Sequence, residues 1–154
     1  MCEYCGCRQI APLAELMDEH LALLDLAGEV RRELVQGRSV EALAALEHTG
    51  ALLDQHARRE EDGVFAALRR SGDFLDEVDQ LTGEHGDFHR RIAALRPDTL
   101  DLTSQVEAIL AELSEHIDRE DLGIFPVTVV TLGSPGWDLV ESVHAAQPSF
   151  LSNR

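Results

Sequence analysis

Four stretches of this 154-residue chain carry apolar residues at helical spacing, and each stripe is interrupted by a histidine. The first runs Leu13, Leu16, His20, Leu23 and Leu24, Ala27, Val30, Leu34. The second runs Ala42, Leu46, Thr49, Leu53, His56, Glu60, Val64, Ala67; the third runs Val78, Leu81, His85, His89, Ile92. The fourth runs Leu102, Val106, Ile109, Leu113, His116, Glu120, Ile124. Such a period marks amphipathic helices, and strand alternation is absent. Pro12 suits a first helical turn, and breaks fall at Gly37 with Ser39, Ser71-Gly72-Asp73, Arg96-Pro97-Asp98 and Gly133-Ser134-Pro135-Gly136. Ser39 and Ser134 are expected helix caps. Helices are therefore predicted over about 12–36, 39–70, 73–96 and 98–125, with a short one near 135–146. Plentiful Ala and Leu with only 5% aromatic residues agree. The expected fold is all-α, an up-down-up-down four-helix bundle over 12–132, preceded by a Cys-rich tail (1–11) and followed by a C-terminal segment (133–154).

Two phrases in the stripes nearly repeat: HARREEDGVF from His56 and HIDREDLGIF from His116. They imply a duplicated helical hairpin whose second and fourth helices are related by a pseudo-twofold axis. The stripes hold five histidines, His20, His56, His85, His89 and His116, with the acids Glu60 and Glu120. Burying such groups without compensation costs several kcal/mol each, about 3 or more. Metal coordination removes that cost. His56/Glu60, His85/His89 and His116/Glu120 are i, i+4 pairs that share a helix face. Imidazole suits iron, zinc or copper, and carboxylate can bridge two harder ions. Seven ligands exceed one tetrahedral zinc and suit two octahedral ions with about twelve positions. If five histidines, two bridging carboxylates and one bridging oxygen atom occupy eleven, one position stays open. A ferritin-like centre needs Glu-x-x-His pairs, and no stripe histidine has a glutamate three residues before it; only Glu141 and His144 do.

The set His20, His56-x-x-x-Glu60, His85-x-x-x-His89, His116-x-x-x-Glu120-Asp121 resembles the hemerythrin-like (HHE cation-binding) family of non-haem di-iron bundles. The resemblance spans roughly residues 12 to 127. It implies one iron on His85, His89 and His116, another on His20 and His56, and bridges from Glu60 and an acid of the fourth helix. That acid is Glu120 by the bacterial pattern or Asp121 by the respiratory one. A residue five on points about 140° away from its partner on a regular helix, so Asp121 requires a π-bulge. The following Gly-Ile-Phe-Pro favours Glu120.

Acidity and hydropathy limit the partners. The net charge of −16 repels nucleic acid and anionic membrane, and MCEYCGCRQI lacks a signal-peptide apolar stretch, so a cytoplasmic protein is predicted. Ile124 to Leu132, the longest apolar run, falls well short of the roughly 20 residues that span a bilayer. Cys2, Cys5 and Cys7 form either a small thiolate site or a reduced tail. His48 and His144 are expected at the surface or in packing. Gly63, Gly83, Gly86 and Gly123 suggest either close helix approach or room beside the metals, or simple tolerance. Tyr4 and Trp137 lie outside the stripes, which disfavours a radical-exporting oxidase. Three functions fit. One is binding or sensing of dioxygen at two oxo- or hydroxo-bridged iron ions. Another is turnover of peroxide or nitric oxide in a stress response, with a redox protein as partner. The third is an iron-responsive module that folds tightly when loaded.

Overall fold

A computed structural model describes residues 6–153 and is helical throughout its long segments. Helix α1 is Ala11–Val35, entered through Pro12 in its first turn, and α2 is Ser39–Glu60. Without interruption α2 passes through a π-helical turn, Glu61–Phe65, into α3 (Ala66–Ser71). Helix α4 is Leu75–Ala94, and α5 is Leu102–Arg119. A second π turn, Glu120–Ile124, joins α5 to α6 (Phe125–Thr131), and α7 is Ser134–Ala146. The fourth rod thus continues past the expected end near 125 and stops after Thr131, where Leu132 turns extended. Pro126 sits in the first turn of α6, where its missing N–H is tolerated. Gly37 and Gly72 close the turns after α1 and α3 with φ of 71° and 81°, which only glycine adopts without strain. Ser39 and Ser134 begin their helices but make no capping hydrogen bond; Arg38 and Gly133 hold the cap positions.

The long rods touch in a closed ring: α1 on α2, α2 on α4, α4 on α5, and α5 back on α1. Their inward faces form two apolar clusters with a polar layer between. Leu23, Ala27, Val30, Leu46, Leu53, Phe88, Val106, Ile109 and Leu113 belong to the first cluster. Leu13, Leu16, Val64, Phe65, Val78, Leu81, Ile124 and Phe125 belong to the second. Along α1 and α4 the second cluster precedes the polar layer; along the α2–α3 and α5–α6 rods it follows. Cys7 is buried in the second cluster, whereas Cys2, Cys5 and Tyr4 lie outside the described residues. Among the described residues no helix is long and apolar enough to cross a membrane. Helix α7 packs on the π turn Glu61–Phe65 and on α3, with Val140 buried.

Candidate metal centre

Six side chains converge in the polar layer: His20 from α1, His56 and Glu60 from α2, His85 from α4, His116 from α5, and Glu120 at the second π turn. All six are buried. They form two groups, His20/His56/Glu60/Glu120 and His85/His116/Glu60/Glu120, and within each the facing N and O atoms lie within 4.8 Å of one another. Glu60 turns Oε1 toward His56 Nε2 (3.2 Å) and His20 Nε2 (3.6 Å), and Oε2 toward His85 Nε2 (3.4 Å). Glu120 turns Oε2 toward His20 Nε2 (3.1 Å), and Oε1 toward His116 Nε2 (3.0 Å) and His85 Nε2 (3.7 Å). Each carboxylate therefore offers one oxygen to each group. Four imidazoles point Nε2 at the same two carboxylates.

The outer ring nitrogens are all engaged. His20 Nδ1 pairs with Asp121 Oδ1 (2.8 Å), His56 Nδ1 with Glu19 Oε2 (2.7 Å), His85 Nδ1 with Glu61 Oε1 (2.8 Å) and His116 Nδ1 with Glu84 Oε2 (2.7 Å). A carboxylate on Nδ1 holds the proton there, fixes the ring and leaves the Nε2 lone pair facing inward, the usual support of a metal-bound histidine. Inside, His20 Nε2, His56 Nε2 and all four oxygens of Glu60 and Glu120 are buried with no hydrogen-bond partner. Leaving buried polar atoms unmet costs about 1–3 kcal/mol each and more for charged groups. Bound cations satisfy all of these atoms at once, so the donor set fits a metal site.

The duplication extends beyond the two quoted phrases to the Glu-His pairs of α1 and α4. Glu19-His20 matches Glu84-His85, His56 matches His116, Glu60-Glu61 matches Glu120-Asp121, and Phe65 matches Phe125. Phe125 stacks on His20 at 5.7 Å between ring centroids, and Phe65 stacks on His85 at 6.1 Å. The π turns make this possible. Widening the turn brings positions i and i+5 into line, so Glu60 and Phe65, like Glu120 and Phe125, share the inner face. The bulge that Asp121 would require is present, yet it does not deliver Asp121 to the shared cluster. Asp121 serves His20 from behind, and Glu120 takes the inner position.

His89 does not join the cluster. It is 63% exposed, and its Nδ1 pairs with Asp54 Oδ2 at 2.9 Å. The buried stripe of α4 runs Val78, Leu81, His85, Phe88, so the step after His85 is three residues and not four. Phe88 fills that place and meets the His116 ring edge-on at 5.5 Å. Replacing His89 with alanine is expected to leave cation stoichiometry unchanged, whereas His85→Ala lowers it; elemental analysis after dialysis distinguishes them. Glu19, Glu61 and Glu84 escaped the sequence reading because they sit beside the stripes. Two of them precede a stripe histidine in a Glu-His dipeptide, but so does the exposed Glu115 before His116, whose Nδ1 pairs with Glu84 instead. Of the glycines, Gly63 meets α7 at ordinary contact distance, Gly86 meets only Arg90, and a side chain at Gly83 or Gly123 would meet nothing within 4 Å.

The charge states follow from the crowding. Burial pushes the His20 pKa down, but Asp121, Glu120 and Glu60 outweigh it and hold the ring well above the ordinary 6.5. His85 is likewise raised, against burial, by Glu120, Glu60 and Glu61, and His56 is raised against burial by Glu60 and Glu19. Burial pushes the Glu60 carboxyl up, yet His56, His20 and His85 hold it well below 4.5. Glu120 is lowered too, since His116 and His20 outweigh burial and its neighbour Glu60. In the metal-free chain, raised histidines stabilise the fold below pH 6.5 and lose that contribution as pH rises through their folded values. Depressed carboxylates stabilise it above pH 4.5 and lose that contribution as pH falls. Metal-free protein is expected to be most stable between those limits. A cation displaces the Nε2 protons, so its apparent affinity is expected to fall about tenfold or more per pH unit toward acid. Thermal melts with and without metal across pH check the opposite trends.

A helical protein that gathers four imidazoles and two carboxylates in a buried layer, each ring backed by a carboxylate, is a cation-binding bundle protein. The chain belongs to the hemerythrin family, whose HHE cation binding domain matches residues 11–128. That span includes all six converging side chains. No curated protein and no solved structure matches the chain.

Proposed function

We propose that the centre holds two iron ions, one on His20 and His56 and one on His85 and His116, with Glu60 and Glu120 bridging, and that it binds dioxygen, peroxide or nitric oxide. The observation that carries this is the split of both carboxylates, one oxygen toward each histidine pair. The alternation of the two apolar clusters along successive rods supports an up-down-up-down bundle around that centre. Mixed nitrogen and oxygen donors without thiolate suit iron. When bound, such a pair supplies one-electron steps at two adjacent ions.

The chain's own residues set what else happens there. Each group contributes four donor atoms, and a six-coordinate ion accepts two more. With His89 outside, both groups are equally short of donors, unlike the unequal sharing expected from five histidines. The likeness of the two donor groups is the observation that favours peroxide turnover, in which both ions would take part, as a second reading. Phe65, Phe125 and Phe88 wall the imidazoles on their apolar sides and keep water out, which suppresses loss of reactive oxygen species. Glu19, Glu61, Glu84 and Asp121 hold the Nδ1 protons and would offset part of the positive charge of bound cations.

Optical spectra of iron-loaded protein, reduced under argon and then exposed to air, test the proposal. A visible band that appears with air and disappears on removal of the gas is the expected result for a binder. Prompt oxygen release on adding peroxide marks turnover. Spectra indifferent to air, peroxide and nitric oxide contradict both readings.

A further inference from the structure

The duplicated halves differ in what covers them. Behind His56, Glu19 is held by Arg59, and behind His116, Glu84 is held by the matching Arg119. Arg59 is 2% exposed and Arg119 46%. The difference comes from α7, which packs on the π turn Glu61–Phe65 and on α3 in the first half. A Cβ on Gly63 would meet Val143 at 3.7 Å and His144 at 3.9 Å, whereas one on the matching Gly123 would meet nothing within 4 Å. His144 Nδ1 accepts a hydrogen bond from Arg59 at 2.9 Å, and the Gln147 carbonyl accepts another at 2.9 Å. Where α7 lies in the first half, the second half has a cavity of about 310 Å³ lined by Leu81, Arg119, Gly123 and Ile124 among others. Leu81 is one helical turn before His85, and Ile124 is one turn after Glu120, so the cavity wall adjoins the centre.

Resting on the di-iron reading, we infer that this groove is the way in and out of the centre, and that α7 closes its counterpart. Ion and small-molecule exchange then runs through the His85/His116 half. The His20/His56 half opens only when α7 and the Arg59 contacts lift. Exchange through local opening is slowed by the free energy of that opening.

Chelator extraction tests this. Protein loaded anaerobically with ferrous iron is mixed with excess ferrous chelator, and release is followed by absorbance. Two phases of one ion each are expected, their rates separated by about tenfold or more. Gly123→Leu projects a side chain into the groove from a position where an added Cβ meets nothing within 4 Å, and is expected to slow the fast phase while leaving the slow phase unchanged and without lowering the melting temperature. Val143→Asp puts a charge against Gly63 and is expected to accelerate the slow phase. Two ions leaving in a single phase, or a fast phase indifferent to Gly123→Leu, overturn the inference and leave the di-iron reading intact. Loading that saturates at one ion per chain overturns both.

Discussion

Glu120→Gln is expected to abolish tight binding of both cations, while Asp121→Asn, one residue on, only weakens it. The two acids occupy adjacent positions and do different work. Glu120 turns one oxygen toward His20 and the other toward His85 and His116, so the amide, with one oxygen left and no charge, deprives one group of its donor and weakens the donor of the other. The amide also presents a buried N–H₂ to the inward nitrogens. Asp121 pairs with His20 Nδ1, at 2.8 Å, and shapes that ring from behind. Loss of such support typically costs about 10–100-fold in metal affinity. Titration calorimetry with ferrous iron separates the outcomes. Equal losses in the two variants contradict the assignment of Glu120 as the bridge.

The second large effect is on stability. Arg59→Met is expected to destabilise the protein by about 3–5 kcal/mol, since it strands a buried carboxylate. Glu19 is fully buried, and among the described residues its cationic side-chain partners are Arg59 and His56. The same guanidinium bonds Glu15 at 2.6 Å, His144 at 2.9 Å and the Gln147 carbonyl at 2.9 Å, tying α1 and α2 to the C-terminal segment. His144 accepts as a neutral ring, its pKa lowered by burial and by Arg59. For a domain of this size the loss corresponds to a melting temperature lower by about 10 °C. Arg119→Met, at the exposed matching position, is expected to cost no more than about 1 kcal/mol. Thermal denaturation of both metal-free variants checks the contrast. Equal shifts would show that α7 contributes nothing to the Arg59 network.

The rods and most of the centre were legible because period and punctuation act locally. Three stripes predicted the buried positions, including His20, His56, Glu60, His116 and Glu120. The third misled at His89, since a histidine three or four residues after His85 fits the helical period equally well. Packing against His116 decided for Phe88, and that contact is not written in α4 alone. The π turns were legible only as a condition attached to Asp121. Their effect, aligning each acid with the phenylalanine five residues on, depends on the next rod. The carboxylates behind the rings lie off the stripes, where charge normally means a solvated face. Glu19 shows why composition hides such residues: it is an acid among 29, yet fully buried beneath Arg59.

The most direct measurement is a crystal structure of the iron-loaded protein with anomalous scattering recorded at the iron absorption edge. Two peaks are predicted, one bound by His20 and His56 and one by His85 and His116, both sharing Glu60 and Glu120, with His89 on neither. A single peak, or His89 bound to iron, would contradict the account.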